Sequence, residues 1–401
     1  MKEFTNLTPF HSMSWVIEGH NRAEADVVVM RVGYRLVRPA EGAEIAGADW
    51  GATHACQLLE GSHAVELSFE DRYFDQPLTS SVRFESDLAP FKPRCDVLVN
   101  ATAHAPGGVP AVRWPVRVRL TRPADDEVLL DKALVVHGPR WFEAREGSWV
   151  LGEAEPATEV PVRWEHAYGG TSRVEDPPLH EACFLNPLGR GWVESRHLDA
   201  LRREGQAAPE RWPAPQIEDP RRPISALDVV THASPIEDHQ QMAAAVESYS
   251  GAPAGLGAVG RAWTPRLQRA GTYDAEWQEH RWPHLPDDFD FAYWNAAPPD
   301  QQIPFPPTDL RFELFNLAPA AAARDGVIRA ALPGHRALLH LVTKNGVHVA
   351  QEMNIDTLLI DAEALTVDVV WRLVVPKPLG IDVIEARFEI DPAAPLMRFE
   401  P

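Results

Sequence analysis

The chain has 401 residues, a formal net charge of −20 and 45% hydrophobic residues, a composition typical of globular proteins with a large core. Its acidity, without any basic stripe, excludes the nucleic-acid-binding class, because phosphate binding requires clustered lysines and arginines. The sequence contains no apolar run near the roughly 18 residues of a membrane helix, which excludes that class of membrane protein.

The cysteines and the N-terminal residues indicate the cellular compartment. Cys56, Cys95 and Cys183 lack the Cys-x-x-Cys spacing of a zinc or redox site. Three widely spaced cysteines do not predict a disulfide framework, and they favour a reducing compartment. The first twenty residues lack the apolar core and cleavage site of a signal peptide. We therefore expect a cytoplasmic protein.

Short β-branched runs separated by turn residues predict strands from about residue 26 to 164. The alternation is clearest in VRWPVRVRL, residues 112–120, where apolar side chains share one face and arginines the other. Pro115 falls on the arginine face and indicates an edge or a bulge. The predicted strands of this part are 26–37, 63–70, 95–104, 112–120, 132–138 and 159–165.

The composition changes after residue 164 and changes again near 310. Proline and glycine are frequent in between, and Thr272 or Asp274 is a plausible cap for one of the helices. The predicted helices are 197–205, 236–249 and 274–282. The predicted C-terminal strands are 310–317, 326–332, 336–342, 346–353, 366–375 and 383–390.

These patterns predict a mainly β protein. We expect a large antiparallel β-sandwich-like body with long ordered loops and a few short helices. The simplest organisation is one unit, 1–401. It comprises an N-terminal β-rich part (1–164), a loop-rich central part with short helices (165–309) and a C-terminal β-rich part (310–401).

Two central motifs have a chemical interpretation that the context does not favour. GLGAVG, residues 255–260, matches the spacing of a dinucleotide-binding loop, but it lacks the preceding strand and the following helix, so a flexible loop is predicted. His180 lies close to Cys183, but sequence proximity alone does not place a base beside a nucleophile. A buried cysteine with a nearby loop histidine is the favoured interpretation.

The carboxylates Asp287, Asp288 and Asp290 form an acidic cluster in LPDDFD. Clustered carboxylates can hold a hard cation, but the spacing of a calcium-binding loop is absent here. The pattern favours a helix cap and an acidic first turn leading into the next segment. No metal site is therefore predicted.

The stretch from Trp164 to Trp192 is rich in turn residues. Glycine pairs allow positive φ or close backbone approach, and Asn-Pro begins a turn. Nothing beside them supplies a nucleophile with its base. We expect a tightly built loop with a structural role.

Several phrases, in order from about residue 85 to 372, resemble one bacterial family of unknown function, DUF2169, which is encoded beside type VI secretion effector genes. Tyr168 stands where the family typically has phenylalanine, and residues 232–254 resemble a variable insertion. The phrases are ESDLAPFKPRCDVLVNATAHAPGG (85–108), WEHAYGG (164–170), NPLGRGW (186–192), APQIEDP (214–220), RAWTPRLQRAGTYDAEW (261–277), LPDDFDFAYWNAAPPDQQ (285–302), NIDTLLID (354–361) and TVDVVWR (366–372).

The resemblance implies a cytoplasmic adaptor or chaperone. Such a protein binds a type VI effector, often through a PAAR-like domain, and helps load it onto the VgrG spike. It implies no cofactor and no catalytic residue, so we expect no enzyme. The family-motif residues, with structural or partner-binding roles, are Tyr168, Gly169, Gly170, Asn186, Pro187, Gly189, Gly191, Trp263, Pro265, Arg266, Gly271, Thr272, Trp277, Asp287, Asp288 and Asp290.

Two alternatives stay open. One is a hydrolase or metal-binding enzyme that uses His180, Cys183 or the carboxylates at 287–290. The other is a structural component that travels with the secreted spike. In the adaptor hypothesis, Trp263, Trp282 and Trp294 are candidate anchors for the partner or for the loops themselves.

Overall fold

Strands dominate the computed structural model of the chain, so the prediction of a mainly β fold with few short helices is confirmed. The structure describes residues 3–18, 23–39, 50–146, 148–174, 179–192, 195–203, 205, 210–226, 252–323 and 325–396.

The strands are numbered in chain order. The first thirteen are β1 (Glu3–Asn6), β2 (His11–Glu18), β3 (Glu24–Val37), β4 (Ala55–Leu58), β5 (Arg72–Tyr73), β6 (Val82–Phe84), β7 (Cys95–Asn100), β8 (Thr102–His104), β9 (Arg113–Thr121), β10 (Val128–His137), β11 (Trp141–Arg145), β12 (Ser148–Leu151) and β13 (Glu159–Pro161). The remainder are β14 (Tyr168–Gly169), β15 (Thr171–Val174), β16 (Leu179–Ala182), β17 (Arg190–Gly191), β18 (Arg211–Pro213), β19 (Ile217–Glu218), β20 (Gln302–Ile303), β21 (Arg311–Phe315), β22 (Val327–Ala331), β23 (Arg336–Thr343), β24 (His348–Glu352), β25 (Asn354–Asp361), β26 (Thr366–Pro376) and β27 (Ile381–Glu389).

Short helices lie in the central part, at α1 (Ser195–Arg203), α2 (Thr264–Leu267) and α3 (Ala275–His280). The first and third confirm two of the predicted helices, while the one predicted at 236–249 lies outside the described residues. Asp274 caps α3, because its Oδ1 accepts a hydrogen bond from the Trp277 amide at 2.9 Å. None of the helices in the described ranges is long and apolar enough to span a membrane.

The N-terminal and C-terminal β-rich parts share the same sheets. The central sheet has the order β2-β3-β26-β25-β7-β20, with β4 also paired to β3. A five-stranded sheet has the order β19-β10-β9-β21-β22, and a four-stranded sheet the order β1-β27-β23-β24. One apolar core lies between them, with contributions from β3, β9, β21, β23 and β26.

Period-two alternation divides β3 between two faces of the central sheet. Val28, Met30 and Val32 belong to the main core, which the other two sheets complete. Val29 belongs to a separate apolar cluster, and Arg31 is buried as well. Both faces of this sheet are therefore covered, and its second face can bury charged residues.

The pairing is mostly antiparallel, but among the strands that the structure describes three pairs are parallel: β1 with β27, β7 with β25, and β14 with β17. Alternation alone does not distinguish the two directions. The connection between β7 and β25 runs through the five-stranded sheet and the central loops, so it needs no crossover helix.

The strand predicted at 63–70 is wrong. This segment lies on the second face of the central sheet, where Leu67 packs with Val29 and Val370. Its Ser68 amide donates to the Asp87 carboxylate at 2.7 Å rather than to a ladder of carbonyls. Apolar and polar residues can thus alternate in a segment that packs on a sheet, as well as in a strand that is part of the sheet.

Two further predictions are refined. The strand predicted at 159–165 ends at Pro161, and a 3-10 turn follows over Trp164–His166. Pro115 lies where β9 pairs with β10 alone, because β21 ends opposite Arg117. This local edge agrees with the proline's position on the arginine face.

Candidate functional site

The Tyr-Gly-Gly and Asn-Pro phrases fold onto each other, with β14 parallel to β17. Asn186 is fully buried at their crossing and organises it. Its Nδ2 donates to the carbonyls of Trp164 and Tyr168 at 2.9 and 3.0 Å. The backbone carbonyl of Asn186 accepts a hydrogen bond from the Gly170 amide at 2.8 Å. These bonds satisfy a buried amide entirely with backbone groups, which is a structural use of the side chain.

Glycine is required at this crossing by close backbone approach. Gly169 has φ +140°, and a Cβ there would lie 2.1 Å from the Asn186 carbonyl oxygen. A Cβ on Gly189 would lie 2.6 Å from the Ala167 carbonyl oxygen. Gly191 and Pro187 belong to the same crossing, and the Pro187 carbonyl accepts from Thr171 Oγ1 at 2.9 Å.

The structure places Cys183 in an apolar cluster and not at an open site. The residue is fully buried beside Phe142, Tyr168 and Trp192. Its amide donates to the Gly170 carbonyl at 2.9 Å. His180 lies on β16, and its side chain is outside the described residues.

The carboxylates at 287–290 have three separate partners. Asp287 contacts Arg281, with Oδ1 and Nε 3.1 Å apart. Asp288 accepts from the amide and hydroxyl of Thr272 at 2.9 and 2.7 Å, and these bonds lower its pKa. Asp290 caps the 3-10 turn Phe291–Trp294 and pairs with Arg269. Within the described ranges, no three metal-ligating side chains come together.

Gly271 and Trp277 belong to the loop that Asp288 organises. A Cβ on Gly271 would lie 2.8 Å from Asp288 Oδ1. Trp277 donates its indole hydrogen to the His284 carbonyl at 2.9 Å.

The segment 255–260 is a loop, as predicted, but it is packed against the protein rather than flexible. Leu256 is buried, and its carbonyl accepts from the Val99 amide of β7 at 3.0 Å. A Cβ on Gly255 would lie 3.0 Å from the Trp164 ring. The glycines allow this segment to pass along the central sheet and against tryptophan rings.

The start of α2 is fixed against the segment 255–260 by three residues, Trp263, Pro265 and Arg266. Trp263 is buried edge-to-face on Trp164, with ring centroids 5.5 Å apart. Pro265 lies in the first turn of α2, where a missing amide hydrogen costs nothing. Arg266 is buried and ion-paired with Glu85. Burial alone would raise the pKa of Glu85, but Arg266 and Arg261 outweigh it and lower that pKa.

A buried ionic network, which the sequence did not reveal, covers the second face of the central sheet. We call it the sheet-face network. Its central residues, all largely buried, are Arg31, Asp87, Lys92, Asp96, Asp356, Thr357, Asp368 and Arg372.

Asp96 joins β7 to the Asn-Ala-Ala phrase. Its carboxylate is fully buried and lies 2.9 Å from Lys92 Nζ. It also accepts from Asn295 Nδ2 at 3.0 Å, and from the amides of Ala296 and Ala297 at 2.9 and 3.1 Å. A fully hydrogen-bonded carboxylate of this kind fixes the loop to the sheet.

Two arginines continue the network across β3 and β26. Arg31 donates to Asp87 at 3.1 Å and to Asp368 at 2.7 Å. Arg372 pairs with Asp356 and donates to the Asp87 carbonyl at 3.0 Å. Burial raises the pKa of Asp368, although Arg31 acts in the opposite direction. A cavity of about 20 Å³ remains between these groups, which is room for roughly one water.

Lys132 is a further buried cation that was not predicted from the sequence. It borders a cavity of about 220 Å³ lined by prolines and Trp164. Its ammonium donates to Asp300 Oδ1 and Gln301 Oε1, both at 2.7 Å. Burial lowers the pKa of Lys132. Gln301 also donates to the carbonyls of Val97 and Leu256, so the lysine belongs to a structural chain of hydrogen bonds.

The exposed aromatic surface lies elsewhere, around a groove of about 220 Å³ that we call the Trp282 groove. Trp282 is 67% exposed, and its chain neighbours Arg281 and Pro283 line the groove. By contrast, Trp263 is buried and Trp294 is partly covered by Phe289 and Tyr293. The lining residues are Ile17, Glu18, Pro90, Arg281, Pro283, His284, Leu285 and Phe291.

Glu18 is the carboxylate of the Trp282 groove, and it lies beside two basic lining residues, Arg281 and His284. Its Oε2 lies 3.2 Å from His284 Nδ1, and its Oε1 lies 3.9 Å from Arg281 Nη1. Oε1 has no hydrogen-bond partner among the residues that the structure describes. Arg281 instead donates from Nε and Nη2 to the Leu285 carbonyl at 3.1 and 2.8 Å.

Residues 24–372 match the model of a family described as an uncharacterized protein conserved in bacteria (DUF2169). The chain belongs to this family. Comparison with curated proteins and with solved structures gave no match. The matched range runs from the start of β3 to Arg372 in β26, and these strands contribute the arginines of the sheet-face network.

Proposed function

We propose that this DUF2169 protein is a cytoplasmic adaptor for a type VI secretion effector. It binds the effector, through a PAAR-like domain, and helps load it onto the VgrG spike. The contact surface that we assign to this role is the Trp282 groove. Family membership and the eight ordered phrases support the proposal.

The observation that carries the assignment is the exposure of Trp282, whose chain neighbours Arg281 and Pro283 line a concave, partly apolar surface. An exposed tryptophan next to a groove is typical of binding surfaces, where aromatic anchors supply much of the free energy. Phe91 extends the apolar surface and packs edge-to-face on Phe291, with centroids 5.9 Å apart. Phrases 85–108 and 285–302 both contribute to this region.

Charge favours a basic segment of the effector as the occupant. The chain carries a net charge of −20, which attracts basic partners over long distances. Glu18 contributes a carboxylate to the groove lining, and its side chain is 24% exposed, so a basic side chain of the partner can approach it.

The first experiment is co-purification of the chain with the proteins encoded beside it, followed by mass spectrometry. We expect a stoichiometric complex with an effector or a PAAR-like protein. If none of these proteins binds the wild-type chain, the adaptor function is wrong. Recovery of the chain itself in secreted material would favour the alternative role as a spike component.

Substitution then tests the groove separately. Trp282→Ala is expected to weaken the complex by about 30-fold, the effect of a hot-spot residue, without changing the melting temperature. Phe69 is a matched control, because it is an aromatic residue of similar exposure, 63%, whose chain neighbours do not line the groove. Equal binding by Trp282→Ala, Phe69→Ala and wild type would remove the groove from the proposal while leaving the adaptor function intact.

A further inference from the structure

Two histidines form a close pair on the four-stranded sheet, far in sequence from the Trp282 groove. His340 lies on β23 and His348 begins β24, which is an edge strand. His340 Nε2 and His348 Nδ1 are 2.9 Å apart. The rings are nearly parallel, at 25°, with centroids 5.0 Å apart.

A carboxylate fixes the orientation of the first histidine. Glu385 on β27 pairs directly with His340 in the sheet register, and its Oε2 lies 2.9 Å from His340 Nδ1. Because a carboxylate only accepts, Nδ1 carries the hydrogen and Nε2 keeps its lone pair in the neutral ring. Arg387 Nη2 also donates to Glu385 Oε2 at 2.8 Å, so two neighbouring side chains hold this carboxylate in place.

This arrangement fits a metal centre in two respects. Imidazole nitrogens lie about 2.0–2.1 Å from a bound ion. In the square-planar or tetragonal geometry of Cu²⁺ and Ni²⁺, two such ligands at a right angle are separated by about 2.9 Å. A metal-bound histidine also commonly donates its other ring hydrogen to a carboxylate, as His340 does to Glu385. The spacing and the supporting carboxylate are independent observations.

We infer that His340 and His348 bind one divalent transition-metal ion, with Glu385 as a positioning residue. Imidazole ligands favour Cu²⁺, Ni²⁺ and Zn²⁺ over Mg²⁺ and Ca²⁺. No third ligand joins the pair within the described ranges. The remaining coordination positions are therefore open to water or to a donor from another molecule. This site does not depend on the proposed adaptor function.

The test is titration of the tag-free, full-length chain with Cu²⁺ and with Ni²⁺ by calorimetry, together with electron paramagnetic resonance of the Cu²⁺ form. We expect one site with nitrogen hyperfine structure. His340→Ala and His348→Ala should each weaken binding at least 10-fold, and Glu385→Ala by about 10-fold, since loss of an orienting carboxylate costs 10–100-fold. His63→Ala, at an exposed histidine on a distant turn, should have no effect.

Circular dichroism of each variant checks that it is folded, which the exposed position of His348 favours. The inference is overturned if the wild-type chain binds neither ion. It is also overturned if the His340→Ala/His348→Ala double variant binds Cu²⁺ with wild-type affinity, because the histidines would then only be a hydrogen-bonded pair.

Discussion

Arg372 and Asp356 form an ion pair on neighbouring strands, with side chains only 3% and 2% exposed. The pair register of β25 and β26 shifts at Asp356, between Ile355 and Thr357. Burial of two charges is costly unless each neutralises the other. The segments that cover the second face of the central sheet can therefore pack over Arg372 and Asp356 only while this ion pair is intact.

Asp356→Ala is expected to lower the free energy of unfolding by about 3–5 kcal/mol, because it leaves the Arg372 charge buried without its partner. Replacing both residues, as Asp356→Leu with Arg372→Met, should restore much of that loss. Urea denaturation of the two variants and the wild type measures both effects. A loss below about 1 kcal/mol for Asp356→Ala would mean that water reaches the pair.

Gly169→Ala is expected to destabilise the chain by several kcal/mol, since its Cβ would overlap the Asn186 carbonyl at 2.1 Å and φ is +140°. Gly257→Ala is the matched control. The nearest atom to a Cβ there is Asn100 Oδ1 at 4.0 Å, and its φ is not in the left-handed region. Thermal melting compares the two variants, and equal melting temperatures would contradict the crossing geometry.

The carboxylates at 287–290 should behave as local structural groups. Asp290→Ala removes a cap and should cost about 1 kcal/mol, whereas the highly exposed Asp287 should tolerate asparagine with almost no change. The Asp287→Asn/Asp288→Asn double variant should stay folded and retain partner binding. Loss of a metal-dependent activity in that folded variant would instead favour the enzyme hypothesis.

Glu218 should make the chain sensitive to acid. Burial would raise its pKa, but hydrogen bonds from His137 and Arg140 outweigh it and lower the pKa to about 2 from an ordinary 4.5. Its stabilising effect is therefore complete above about pH 4.5 and is lost as the pH falls towards 2. Urea midpoints measured between pH 5 and 3 should fall more steeply for the wild type than for Glu218→Gln. Parallel curves would contradict this.

Local sequence patterns predicted strands well where a segment of alternating side chains also pairs with other strands in a sheet, as in β3, β9 and β26. The same alternation failed at 63–70, because an apolar side of a segment can pack on a sheet without pairing with it. The parallel pairing of β7 with β25 was not predictable either, since strand direction leaves no trace in the alternation. The organisation as one unit stays a prediction.

The sheet-face network was missed because its partners are remote in sequence. Lys92 donates to Thr357, and Asp96 accepts from Ala296. A signal was nevertheless present: charged residues alternate with valines in TVDVVWR, which places Asp368 and Arg372 on one face. A charge on a covered sheet face requires an opposite charge. By contrast, nothing in the sequence distinguished exposed Trp282 from buried Trp263.

β3 and β26 pair with each other although they are far apart in the sequence, and this separation has a consequence for biosynthesis. β3 ends at Val37, and β26 begins only at Thr366. At about 5–20 residues per second, the ribosome needs roughly 16 to 66 seconds to supply the partner strand. During that interval β3 can pair with β2 and β4, but its β26 side remains an open, valine-rich strand edge that is prone to aggregate. Completion of the central sheet is therefore tied to the pace of translation.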